Sequence, residues 1–198
     1  MKRLLLYVHF NKYNHISSHV YYQLTKMRPL FSKVVFISNS SINEQDYHKI
    51  VELRLMDQFI QRENIGFDFA AWRDGMTAVG FEELATYDSV TIMNDTCFGP
   101  LWDIKDYYLE YESDDSVDFW GLTNNRATSK SRYTQGFREH IQSYFITFKK
   151  SVIVSPEFKN FWENVKNYTN VQDVIDNYET QVTTKFLDAG FKYKVIFN

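Results

Sequence analysis

Residues 4–10 read LLLYVHF, an apolar run broken only by His9. A strand with one face in water alternates apolar and polar residues. A run that is apolar almost throughout belongs to a strand covered on both faces, as in a parallel sheet between layers of helices. The stretch predicts a central parallel strand, and the segments after it fit. Ser17 or Ser18 can cap a helix running to Met27, and Pro29 marks its exit. Residues 34–37, VVFI, read as a second buried strand, followed by a polar turn over 38–41. Strand, helix and strand joined by a right-handed crossover give parallel pairing. A helix over 43–56, a strand over 58–61, a helix over 68–79 and a strand over 89–93 continue the rhythm.

Beyond residue 94 the pattern becomes irregular. Gly99 and Pro100 turn the chain, and residues 118–122 read as a strand. The polar segment 124–139 is expected to be a mobile loop. Residues 143–148 alternate as a strand. The helix expected over 156–168 carries Phe158, Phe161, Trp162 and Val165 on one face, and a last helix over 174–189 ends at Gly190. The prediction is an α/β fold: one domain over 1–198 with a mainly parallel central sheet flanked by helices and an irregular, mixed second half.

A chain of 198 residues can bury one substantial core, and 44% hydrophobic with 24% charged residues is ordinary globular composition. Aromatic residues at 18% suit an aromatic core or a site that stacks on flat ligands. A net charge of −3 without any basic block argues against a nucleic-acid partner. Cys97 is the only cysteine, so an internal disulfide and a thiolate zinc cluster are excluded, and a reducing, cytoplasmic location is expected. No stretch approaches the roughly 20 apolar residues of a transmembrane segment. The histidines offer no pair on a shared helix face, so zinc is not expected. The hydrolase elbow, the Walker loop and the dinucleotide glycine pattern are missing, which leaves catalysis to carboxylates.

Ligands of open α/β sheets sit at the carboxyl ends of the strands, so His9, Asn39, Asn64 and Asn94 are expected on one edge. Residues 64–75, NIGFDFAAWRDG, straddle such an end. Asp68 as a helix cap and Phe69, Trp72, Met76 and Val79 as a core stripe account for much of this stretch. Asn64, Gly66, Arg73 and Asp74 are left over, and a glycine here lets backbone N–H groups approach an anionic ligand. Asn94-Asp95-Thr96 reads as an Asx turn or as a divalent-metal ligand, with Asp95 its single carboxylate. Glu179 reads either as a solvated helix residue or as a catalytic carboxylate.

These stretches, with MNDTCFGPL at 93–101, DFWGLT at 118–123, HIQSYFITF at 140–148, and the later FKNFW and NYETQVTTKFLDAGF, resemble the rhamnan synthesis protein F family of bacterial glycosyltransferases. The resemblance runs nearly the whole chain in order. It implies a GT-A-like nucleotide-sugar fold, with the nucleotide-sugar half at about 1–100 and the acceptor half at about 101–198. It also implies inverting transfer of L-rhamnose, or a similar deoxyhexose, from dTDP-rhamnose to a cell-surface polysaccharide. Asn94-Asp95-Thr96 stands where GT-A enzymes usually carry an Asp-x-Asp metal motif, with one acid in place of two. Asp95 is then the candidate ligand of a donor-dependent Mg²⁺ or Mn²⁺, or a direct contact to the donor's hydroxyls.

On this resemblance His9, Phe10 and Asn39 border the nucleobase and ribose, and Asn64, Gly66, Asp68, Arg73 and Asn94 hold the donor. Arg73 or a metal at Asp95 stabilises the departing diphosphate. Glu179 is the expected base and Asp118 the second candidate. Trp120, Gln142, Ser143 and Tyr144 are the acceptor candidates, and 124–139 is a candidate lid. The implied acceptor is a lipid-linked glycan at the inner membrane face, reached through partner proteins. Two alternatives stand beside this reading: a non-catalytic nucleotide-sugar or glycan binding module, and a transferase using a UDP-hexose.

Overall fold

The computed structural model describes residues 1–127 and 138–198. In chain order the elements are β1 (Arg3–His9), α1 (Ser18–Met27), β2 (Lys33–Ser38), α2 (Glu44–Glu52), β3 (Gln58–Gln61), α3 (Phe67–Val79), α4 (Phe81–Leu84), β4 (Ser89–Asn94) and α5 (Lys105–Ser113). There follow β5 (Phe119–Asn125), β6 (His140–Ile141), β7 (Phe145–Lys149), α6 (Lys150–Ile153), α7 (Pro156–Glu163), α8 (Val171–Val174), a π-helical turn (Ile175–Glu179), α9 (Thr180–Asp188) and β8 (Tyr193–Phe197).

The strands form one sheet in the order β3-β2-β1-β4-β7-β5-β6, with β8 also on β5. β3, β2, β1 and β4 are mutually parallel. β7 runs antiparallel to both β4 and β5, so β5 points the same way as β1, and β8 is parallel to β5. The carboxyl ends of six strands and the amino end of β7 therefore share one edge.

The apolar run of β1 divides by alternation. Leu4, Leu6 and Val8 join Val35, Ile37, Phe69, Trp72 and Met76 on one face, together with Phe158, Trp162 and Phe186 from α7 and α9. Leu5 and Tyr7 join Val34, Phe36, Val20, Leu24, Ile50, Tyr108 and Trp120 on the other. A central strand thus needs apolar residues at every position, each buried side chain contributing about 1.5–3 kcal/mol.

The first four strands and the helices between them lie where expected. The helix begun at Asn43, whose side chain accepts the Asp46 N–H, ends at Glu52 and not at 56, because Leu53 is its C-cap and Arg54 takes φ +53°. The helix from Pro156 stops at Glu163 with Asn164 as its C-cap. The last helix is interrupted by the π turn, so it is three short pieces. α5 and β8 were not anticipated. Asp68 does not cap α3: the N-cap is Gly66 at φ +73°, followed by Phe67 at φ +52°, which places Asp68 inside the first turn. Of the loop expected over 124–139, residues 124–125 belong to β5 and pair with β6, and 128–137 lie outside the described residues. Among the described residues no helix is long and apolar enough to cross a membrane.

Candidate active site

Parallel pairing brings the ends of β1 and β2 into contact, with the Asn39 N–H donating to the His9 carbonyl at 2.8 Å. Beyond β2 and β3 lies a polar cavity of about 370 Å³ lined by Asn14, Asn39, Ser40, Gln61, Arg62 and Glu63. Arg62, in the position just after β3, organises its wall. It donates to Asn39 Oδ1 (2.8 Å), Asp74 Oδ2 (2.8 Å) and the Ile65 carbonyl (2.6 Å). A guanidinium only donates, so Asn39 turns its oxygen to Arg62 and its Nδ2 elsewhere. Asn39 Nδ2 and His9 Nε2 are buried, and neither has a hydrogen-bond partner among the described residues. Burial lowers the His9 pKa to about 4, so the ring is neutral at pH 7. Two orphaned polar atoms on adjacent strand ends cost stability, and a ligand's polar groups would complete them.

Asp68 and Asp95 lie where β4 ends, and the charge of Asp68 is felt at both Asp95 and Glu179. Asn94 forms the Asx turn, its Oδ1 accepting the Thr96 N–H at 3.1 Å, while its Nδ2 donates to Asp68 Oδ2 at 2.7 Å. Asp95 Oδ2 accepts the N–H of the exposed Phe10 at 3.2 Å. Burial, with a further push from the charge of Asp68, raises the Asp95 pKa to about 6. Burial raises Asp68 as well. Glu179 is raised by burial first and by Asp68 second. Asp68 is thus within electrostatic reach of both other acids. Stacking of Tyr178 on Phe69 (5.6 Å between centroids) brings the π turn, and Glu179 with it, against the start of α3. π turns recur at functional sites.

A carboxylate whose pKa is raised by the charge of another, as Asp95 is by Asp68, favours an arriving cation. Among the described residues no three His, Cys, Asp or Glu side chains are grouped to hold an ion unaided. The hard oxygens of Asp95 and Asp68 suit Mg²⁺ or Mn²⁺ completed by substrate phosphates, the usual manner in which these ions bind.

Other expected site residues are committed elsewhere. Gly66 packs backbone against backbone: its N–H donates to the Tyr168 carbonyl at 2.8 Å, and a Cβ there would come within 3.0 Å of Asn167 Cα. Its unusual φ serves that contact, which commits the Gly66 N–H to the chain and not to a ligand. Arg73 donates to Asp74, to the Val165 carbonyl and to Asn167, so it ties α3 to the 165–167 segment. Asn64 is half-buried in the loop before α3. Asp118 lies at the opposite edge of the sheet, accepting from Ser151 Oγ (2.7 Å) and the Lys192 N–H (2.9 Å), away from the other acids. Trp120 is fully buried against Tyr108, Tyr111 and Phe145, so its ring has no face for a sugar. Gln142, Ser143 and Tyr144 do reach the carboxyl edge: the Tyr144 carbonyl accepts the Asn94 N–H at 3.2 Å, and Gln142 Oε1 accepts from Thr123 Oγ1 at 2.6 Å.

Arg62 and His19 were not singled out from the sequence. Arg62 follows a strand end, the same signal that marked Asn39 and Asn94. His19, in the first turn of α1, reaches the Asp95 carbonyl at 3.0 Å. His15 is four residues earlier, but α1 starts at Ser18, so the two do not share a helix face.

The structure is similar to HddC from Yersinia pseudotuberculosis, with TM-score 0.54 and 11% identity over 100% of this chain and 90% of that one. It is also similar to the mannosyltransferase PcManGT from Pyrobaculum calidifontis, solved with GDP-Man and Mn²⁺, with TM-score 0.61 and 11% identity over 98% of this chain and 55% of that one. At such identities the likeness is one of fold, a GT-A-like nucleotide-sugar transferase architecture. In sequence the chain is 32% identical over 161 residues to the uncharacterized protein y4gN of Sinorhizobium fredii, covering 80% of this chain and 39% of that protein. It is 28% identical over 143 residues to the virulence protein VirA of Vibrio anguillarum, covering 71% and 42%. The chain therefore spans about two fifths of the length of these relatives. The rhamnan synthesis protein F profile matches residues 34–198, and the chain belongs to that family.

Proposed function

We propose that this domain is a nucleotide-sugar-dependent glycosyltransferase that moves L-rhamnose or a similar deoxyhexose from dTDP-rhamnose to a polysaccharide acceptor with inversion. Family and fold together support glycosyl transfer. The observation that carries the reading is the carboxyl edge of the sheet itself, where the charge of Asp68 acts on both Asp95 and Glu179 and a polar cavity and two orphaned polar atoms stand at neighbouring strand ends. The nucleoside occupies the cavity past β2 and β3, bordered by Asn39 and Arg62. The diphosphate lies toward Asp95. A divalent ion held there by Asp95 and Asp68, as Mn²⁺ accompanies GDP-Man in PcManGT, would offset the charge left on the diphosphate. Glu179 takes the proton of the acceptor hydroxyl; its raised pKa makes it a stronger base than an ordinary carboxylate. Gln142 and Tyr144 border the acceptor side. The acceptor is a lipid-linked glycan at the inner membrane face.

The test is a panel of dTDP-, UDP- and GDP-sugars in a thermal-shift assay with Mn²⁺, since a cognate donor stabilises the native state by mass action. dTDP-rhamnose is expected to give the largest shift. A larger response to a UDP-hexose would reassign the donor, and no response to any nucleotide would remove the transferase reading.

A further inference from the structure

Residues 95–104 form neither helix nor strand, yet Asp95 must be held in place for any role at the donor diphosphate. Helix α1 supplies the hold. His19, Tyr22 and Gln23, at spacings of three and four, lie on one face of α1. His19 Nε2 meets the Asp95 carbonyl at 3.0 Å, Gln23 Nε2 the Cys97 carbonyl at 2.5 Å, and Tyr22 Oη the Pro100 carbonyl at 3.0 Å. A carbonyl only accepts, so His19 carries its hydrogen on Nε2. Gln23 is itself anchored, its Oε1 accepting from Tyr7 Oη on β1 at 2.5 Å. The ring of Tyr22 stacks on Phe98 at 5.6 Å. One helix face thus takes three main-chain carbonyls of a six-residue segment. Asp95 is gripped from both sides, its carbonyl by His19 and its carboxylate by the Phe10 N–H.

We infer that α1 is a splint for the 95–100 segment, and that His19 and Gln23 are positioning residues that set Asp95 for the donor diphosphate. The inference rests on the transferase reading for what Asp95 does, and on the geometry alone for what holds it.

The test compares wild type, His19→Leu and His19→Gln, because a glutamine amide can place an N–H donor close to where Nε2 stood. Two quantities are measured on each: affinity for dTDP with Mn²⁺ by calorimetry, and amide hydrogen exchange across residues 95–100. His19→Leu is expected to bind about tenfold more weakly, the loss of one well-made hydrogen bond, with faster exchange confined to 95–100. His19→Gln is expected to recover most of both. Wild-type affinity and wild-type exchange in His19→Leu would overturn the splint, as would a Gln variant no better than Leu. Failure of the wild type to bind dTDP or UDP would overturn the transferase reading instead, while the exchange comparison would still decide whether His19 holds the segment. Gln23→Leu, which unties the Cys97 carbonyl, is expected to give the same localised exchange.

Discussion

Gly66→Ala separates a structural glycine from a ligand-binding one. Its φ of +73° is a conformation that costs an L-residue about 1–2 kcal/mol. An added Cβ would stand 2.5 Å from Ala70 Cβ and 3.0 Å from Asn167 Cα. Neither neighbour is the end of a flexible side chain, so α3 or the 165–168 segment must shift, at about 1–3 kcal/mol. The bond from the Gly66 N–H to the Tyr168 carbonyl weakens with that shift. The sum is about 3 kcal/mol, which for a domain of this size lowers Tm by roughly 6–12 °C. Urea unfolding and a thermal scan of the two proteins give the number, and dTDP affinity well below Tm gives the control. Tm within about 2 °C of wild type with dTDP binding lost would refute the packing account and restore Gly66 as an anion cradle.

Glu179→Gln should lower turnover about 10²- to 10⁴-fold with donor affinity retained, measured by release of nucleoside diphosphate. Asp95 has a native pKa of about 6 against an ordinary 3.8, so between those values the native state holds a proton that the unfolded state has lost. Stability therefore falls as pH rises from 3.8 to 6 and stays lower above. Asp95→Asn should be more stable than wild type at pH 7 by about 3 kcal/mol, with the difference vanishing below about pH 4 in a pH series of urea melts. Arg62→Met removes three hydrogen bonds and leaves Asn39 Oδ1 without its donor. Because Asp74 is about a third exposed and keeps Arg73, a loss of about 2 kcal/mol is expected from urea unfolding, together with weaker nucleotide binding.

The parallel half of the fold was readable because its signal is local: LLLYVHF and VVFI leave no polar face, and the stop at Gly190, which at φ +94° follows the Ala189 C-cap, is chemical. What the sequence concealed was tertiary. Glycine before an acid looks alike whether its backbone faces a phosphate or, as here, another chain segment. A tryptophan in a mixed strand looks alike whether it stacks on sugar or fills the core between Tyr108 and Phe145. Asp118 looked available because a lone acid does not reveal which end of its strand it occupies. The π turn that presents Glu179 has no helical-period signature, and β8 was missed because its short YKVIF at 193–197 does not alternate. The gathering of His9, Asn39 and Asn94 followed from strand order alone, whereas the contact of Asp68 with Asn94 needed the turn of α3.

The most direct measurement follows dTDP released from dTDP-rhamnose by the purified domain with Mn²⁺ and a lipid-linked glycan acceptor, beside Glu179→Gln under the same conditions. Acceptor-dependent release by the wild type, and release lowered at least a hundredfold in a variant that still binds dTDP, is the expected result. Equal release by the two proteins would contradict the role of Glu179, and wild-type binding of dTDP-rhamnose with no release under any acceptor would contradict the transferase itself.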